Sequence, residues 1–257
     1  MRDRIISSIV MIIIAVPFLL IGGNPFAFFM LIVGEMAMYE LLKLTLINQK
    51  IKTISYIFLS IIILKDLIGI NFEHIIIFTF LFYLLNLIII NDKKEYNYKD
   101  AFYLIAMTLF IGIIFSNVIA IRNDNLMILL YLLLITVTTD TMAFFTGLLI
   151  GKHKLAPAIS PNKTVEGFIG GTTIGSIISS IFYISFVKYG SNIGLVIMTT
   201  TLLSMIGQIG DLVMSSIKRQ ENIKDFSNLI PGHGGIMDRF DSIIFVVCVY
   251  LLIKDLF

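Results

Sequence analysis

Nine stretches of the 257-residue chain are apolar over lengths that suit membrane-crossing helices, at residues 5–21, 26–47, 54–70, 74–90, 102–121, 126–150, 168–188, 193–213 and 242–257. A helix rises 1.5 Å per residue and the hydrocarbon layer is about 30 Å thick, so about 20 apolar residues make one crossing. Lipid offers no hydrogen bonds to the backbone, so such runs must satisfy their peptide groups internally, as helices do. The pattern predicts an all-α, polytopic integral membrane protein with about nine transmembrane helices. Met1 to Gly23 carries Arg2 and Arg4 ahead of an apolar core, and no small-x-small cleavage site precedes Asn24-Pro25. It reads as a retained first span.

Composition agrees with the pattern. Hydrophobic residues make up 58% and charged residues 14%, against about 45–50% and about 25% in soluble domains. An odd number of spans puts the termini on opposite sides, and the basic residues choose between the two orientations. With the N-terminus in the cytoplasm, Lys65, Arg122, Lys188 and Lys254 fall outside, and the other fifteen of the 19 basic residues fall inside. The expected location is the cell (inner) membrane, multi-pass, with the N-terminus and the polar loops of the second half cytoplasmic. No nucleic-acid partner is expected. The single cysteine, Cys248, lies in the last apolar run and excludes a disulfide framework.

Polar residues inside or beside the runs carry the candidate chemistry, because a charge at the bilayer centre costs roughly 2.5–3.5 kcal/mol on insertion scales. The first half, residues 1–125, offers little. A polar loop spans Asn91 to Asp100, His74 reads as interfacial, and Glu35 and Glu40 lie in the second run, where Lys43 at i+3 makes a structural partner for Glu40. The second half, residues 126–257, differs. Asp140 is deep in the sixth run and faces either a cavity or a helix interface. Ser160 to Gly167 forms a loop in which Pro161 stops one helix and Thr164 caps the next, leaving Lys163 and Glu166 near a helix N-terminus that favours anions. Gly167, Gly171 and Gly175 share one helix face, the spacing of close helix packing.

Polar residues concentrate between Asp211 and Ser242. Asp211, Ser215 and Lys218 fall at i, i+4 and i+7 on one helical face, with the outer two about 10.5 Å apart along the axis. Asp238 and Asp241 recur at i, i+3 where the last run begins. The three carboxylates suggest a nest for a hard divalent cation such as Mg²⁺. Lys218, Arg219, Lys224, Arg239 and Lys163 could neutralise phosphates, while Gly232, Gly234 and Gly235, around His233, would let backbone approach them.

The run Ser215-x-Ile-Lys218-Arg219, then Lys224-Asp225, then Pro231-Gly-His-Gly-Gly-Ile-x-Asp238-Arg239-x-Asp241-Ser242 resembles the signature of the CDP-diacylglycerol synthases, also called phosphatidate cytidylyltransferases. Asp140-x-x-Ala-Phe-Phe-x-Gly147 and Ser160-Pro-Asn-Lys-Thr-x-Glu-Gly167 resemble further blocks of that family. One position departs: Met214 stands where relatives commonly carry Glu.

The resemblance implies transfer of CMP from CTP to phosphatidic acid, giving CDP-diacylglycerol and pyrophosphate, by a homodimer in contact with membrane lipid. It implies Asp211, Ser215, Lys218, Arg219, Asp238, Arg239 and Asp241 as catalytic residues. Lys163, Lys224, Gly232, His233, Gly234 and Gly235 would bind substrate, and Asp211, Asp238 and Asp241 would hold Mg²⁺, with room for a second cation. The chain then divides into N-terminal transmembrane helices, 1–125, and a catalytic region, 126–257. Two rival readings are a CTP-dependent enzyme acting on an isoprenoid or polyprenyl lipid and an ion-coupled transporter with carboxylates spread across membrane depth.

Overall fold

A computed structural model describes residues 2–90 and 95–256. Asn91, Asp92, Lys93 and Lys94 of the expected polar loop lie outside the described residues, as do Met1 and Phe257. Each expected apolar run is helical over most of its described residues. The helices are α1 (Arg2–Ile21), α2 (Gly23–Leu42), α3 (Gln49–Ile63), α4 (Lys65–Ile68), α5 (Phe72–Ile89), α6 (Tyr98–Asp124), α7 (Leu126–Ile150), α8 (Val165–Phe182), α9 (Ile193–Gln220) and α10 (Met237–Ile253). The chain is an all-α polytopic membrane protein. Among the described residues, six helices are long and apolar enough to cross a membrane: α2, α5, α6, α7, α9, and α8 with its π-helical extension to Val187. The remaining runs form shorter helices, 15 residues in α3 and 17 in α10, with the apolar part of α1 covering Ile6–Ile21.

Asparagine sets several helix starts. Asn48, Asn71, Asn125 and Asn192 precede α3, α5, α7 and α9, and each side-chain oxygen accepts a hydrogen bond from an early backbone N–H. Asn97 does the same for Lys99 at the start of α6.

The fold comprises two compact units, Met1–Asn123 with Phe226–Met237, and Asp124–Asp225 with Asp238–Phe257. In the first, Tyr83 is buried between α3 and α6, where its hydroxyl meets Ser55 and Thr108 at 2.8 and 3.2 Å. Cations close two helix C-termini, whose carbonyls lack intrahelical donors. Arg122 on α6 donates to the carbonyls of Leu19 and Leu20 at 2.8 and 2.7 Å, and Lys52 donates to those of Leu42 and Thr45.

In the second unit α7 and α8 pack closely because α8 is glycine-lined. A Cβ at Gly167 or Gly171 would strike the backbone carbonyls of Ala143 or Thr139, and one at Gly175 would strike the side chain of Thr139. This is the contact expected from the spacing of four. Between the two helices the Ser160 loop folds as a two-stranded antiparallel hairpin, β1 (Lys154–Ala156) and β2 (Ser160–Thr164). Thr164 ends β2 and caps α8 by accepting from Gly167 N at 3.1 Å.

Candidate active site

The hairpin, α7, α8, α9 and the start of α10 line one cavity of about 680 Å³, all within the second unit. That volume lies in the range of small-molecule sites, about 300–1,000 Å³. α9 supplies Asp211 and Lys218 from the face read in the sequence, β2 supplies Lys163, and α10 supplies Asp238, Arg239 and Asp241. Asp140 and Gln208 also line it, as do Asn162, Lys154 and Asp225.

Two ion pairs organise the charge. Lys218 Nζ lies 2.7 Å from Asp238 Oδ1, with side-chain exposures of 8% and 3%. Lys163 Nζ lies 2.6 Å from Asp211 Oδ2, and Ser215 Oγ donates to the other oxygen of Asp211 at 3.2 Å. The Lys163 ammonium is itself buried and has no acceptor in hydrogen-bond alignment despite that short ionic contact. Across the cavity, Asp140 Oδ2 accepts from Ser242 Oγ at 3.3 Å, and the carboxylates of Asp140, Asp211 and Asp241 are near enough to act on one another electrostatically. Asp140 therefore lines the cavity and is also hydrogen-bonded between α7 and α10, so both of its expected readings describe it.

Five carboxylates and four cations line the wall, leaving one net negative charge. Phosphate groups in such a place require a further positive charge, and the oxygen donors suit a hard cation. Among the described residues, however, no three His, Cys, Asp or Glu side chains gather as a metal site. In the expected ligand set of Asp211, Asp238 and Asp241, a lysine holds one oxygen of Asp211 and one of Asp238.

Several expected site residues are not among those that line the cavity. Arg219 is spent on main-chain carbonyls, Nε to Ile159 at 3.2 Å and Nη1 to Ile223 at 2.8 Å, which ties the end of α9 to the turn of the hairpin. Lys224 is exposed and does not line the cavity. Gly232, His233, Gly234 and Gly235 belong to the first unit. Gly232 and Gly234 adopt φ of 76° and 85° in a turn closed by the Ile230–Gly234 bridge, a conformation glycine takes without strain. The ring nitrogens of His233 meet Ser7 Oγ at 2.8 Å and Ser8 Oγ at 3.0 Å. Glu166, at the head of α8, accepts from the amides of Lys152 and His153 and pairs with the His153 ring at 2.6 Å.

Glu40 departs most from its sequence reading. Among the described residues it makes no ion pair with Lys43. Its fully buried carboxylate instead accepts from Ser227 Oγ at 2.6 Å and from the amides of Ile236 and Met237 at 2.8 and 2.9 Å. These partners lie up to 197 residues away in sequence, and no local spacing announces them.

The molecule is thus a polytopic membrane protein with two lysine–carboxylate pairs in the wall of a small-molecule-sized cavity. The sequence matches the cytidylyltransferase family over residues 2–257. It is 40% identical over 256 residues to a phosphatidate cytidylyltransferase of Staphylococcus haemolyticus, with 96% of each chain covered. It is 37% identical over 254 residues to proteins of the same name from Staphylococcus aureus and Staphylococcus epidermidis, again covering 96% of each chain. The chain belongs to the cytidylyltransferase family, enzymes that use CTP as a nucleotidyl donor.

Proposed function

We propose that this protein is a phosphatidate cytidylyltransferase, transferring CMP from CTP to phosphatidic acid to give CDP-diacylglycerol and pyrophosphate. The single observation that carries the reading is the cavity in which the buried Lys163 and Lys218 ammoniums meet Asp211 and Asp238. Likeness over the whole chain to proteins named for this activity supports it.

The reaction joins an oxygen of the lipid phosphate to the α-phosphorus of CTP and breaks that phosphorus's bond to the β-phosphate oxygen. Pyrophosphate leaves. A phosphate monoester is largely dianionic near neutral pH, its second pKa being about 6, so the protein need not remove a proton to create the nucleophile. Its work is to bring two anions together and to neutralise the charge that builds on the leaving pyrophosphate. Lys163 and Lys218 are suited to this because each ammonium is held at a fixed place on the cavity wall by a carboxylate. Arg239 adds a planar donor at the exposed rim. Ser215 keeps Asp211 oriented toward the cavity. Mg²⁺, when bound, would be held by Asp211, Asp238 and Asp241 together with substrate phosphate oxygens and would supply the positive charge that the wall lacks.

The lipid substrate has a route on the same wall. Phe144 and Leu148 line the cavity and are also 65% and 71% exposed, so an acyl chain can leave along an apolar face while its phosphate reaches the lysines. Residues 126–257 form the catalytic region in this reading, beside N-terminal helices within 1–125. The positive-inside bias supports a cytoplasmic opening, where CTP is found. A homodimer is part of the same proposal. An ion-coupled transporter fits less well, because Asp140, Asp211 and Asp241 gather with cations around one cavity rather than marking a path across the bilayer.

The test is a purified-protein assay with labelled CTP, phosphatidic acid and Mg²⁺. CDP-lipid and pyrophosphate should appear in equal amounts, and only with both substrates present. Chelation should stop product formation. Product with a polyprenyl phosphate but not with phosphatidic acid would overturn the lipid assignment.

A further inference from the structure

The buried carboxylate of Glu40 has no part in the chemistry above, yet it holds the segment from which two of the cavity's acids project. Its contacts lie within the first unit. One oxygen accepts from Ser227 Oγ and Ile236 N, and the other from Met237 N, all at 2.6–2.9 Å. Met237 is the first residue of α10, and the next residue in that helix is Asp238. The first N–H groups of a helix have no intrahelical acceptor, and an anion beside them is favoured by both hydrogen bonding and the helix dipole. Helices usually meet this need with a side chain just before the first turn. In α10 the acceptor comes instead from α2, 197 residues upstream. Gly235 makes the approach feasible, since a Cβ there would fall on the Glu40 carboxylate.

We infer that Glu40 is a positioning residue for cytidylyl transfer, a distant cap that fixes where α10 begins and so where Asp238, Arg239 and Asp241 stand. Charge-assisted hydrogen bonds to successive amides constrain both the rotation and the axial position of the first turn. Removing them frees the backbone immediately before Asp238. Displacing reacting groups by about 1 Å costs on the order of 100-fold in rate even when the altered residue is remote from the chemistry. This inference rests on the proposed transferase reading, and the experiment separates the two.

The full chain in detergent carries the test, as wild type, Glu40→Gln and Glu40→Ala, read by steady-state kinetics and by hydrogen–deuterium exchange. If the wild type makes no CDP-lipid, the transferase reading fails while exchange still reports on the cap. If the wild type is active, Glu40→Ala should lose about tenfold to 100-fold in kcat, with KM for CTP and phosphatidate within about threefold of wild type. Exchange should quicken in residues 226–240 and remain unchanged in α7 to α9. Glu40→Gln keeps one acceptor oxygen but sets an amide NH₂ against the Met237 N–H, so its kcat should lie between the other two. Wild-type kcat in Glu40→Ala, or faster exchange across the whole chain in both variants, would overturn the inference. Should Glu40→Ala fail to fold, Glu40→Gln decides alone: unchanged kcat and unchanged exchange in 226–240 would refute the positioning role.

Discussion

Replacing Lys218 by Met removes one ammonium while nearly preserving side-chain length, and it leaves the Asp238 carboxylate, only 3% exposed, without its cation. Breaking a buried ion pair from one side costs about 3–5 kcal/mol, most of it the penalty of an uncompensated charge. For a chain of this size about 2–4 °C of Tm accompanies each kcal/mol, so Lys218→Met should melt about 6–20 °C below wild type in detergent. Asp238→Asn should fall similarly, for the mirror-image reason. The double variant removes both charges of the pair and should lose clearly less than the sum of the singles, with a coupling energy of about 1–3 kcal/mol. All three should be without cytidylyl transfer, because restoring electrical balance does not restore a phosphate-binding cation. Thermal unfolding followed by tryptophan-independent probes, such as far-ultraviolet circular dichroism, suits a chain with no Trp. A single-variant shift under about 2 °C, or strictly additive losses, would refute the reasoning that the pair is buried and coupled.

Lys163→Met should raise KM for CTP or for phosphatidate at least about tenfold, the loss of one charge-assisted hydrogen bond being worth about 1.5–3 kcal/mol; unchanged kinetics for both substrates would remove Lys163 from phosphate binding. Gly171→Leu should disrupt the α7–α8 contact, where a Cβ already meets Thr139 and Ala143, and lower both folded yield and Tm. His233→Ala should lower Tm while leaving KM for CTP within about twofold, since its ring nitrogens face Ser7 and Ser8; a large KM change with unaltered Tm would return His233 to the substrate site.

Helices and the polar cluster were legible for different reasons. Apolar runs announce helices because the lipid requirement acts on each segment separately. The α9 face was legible because Asp211, Ser215 and Lys218 share one rigid repeat, and Ser215 does bond Asp211. The glycines at intervals of four pointed to helix packing by the same local logic. The β-hairpin was missed, since Lys154–Ala156 and Ser160–Thr164 are too short to show a strand period. What the sequence did not show of Gly232 to Gly235 is their local geometry, a turn with Gly232 and Gly234 at positive φ and a close contact of Gly235 with Glu40.

By itself, then, the sequence determined the membrane class, the helical segments and the residue types from which a phosphate site could be made, because hydropathy and periodicity are local properties. Tertiary structure decided which charge meets which. It paired Lys163 with Asp211 and Lys218 with Asp238, brought Asp140 to the cavity, turned Arg219 to main-chain carbonyls, and set Glu40 at the head of α10. A buried charge takes the partner that the packed helices bring within hydrogen-bond reach, and that partner can lie anywhere along the chain.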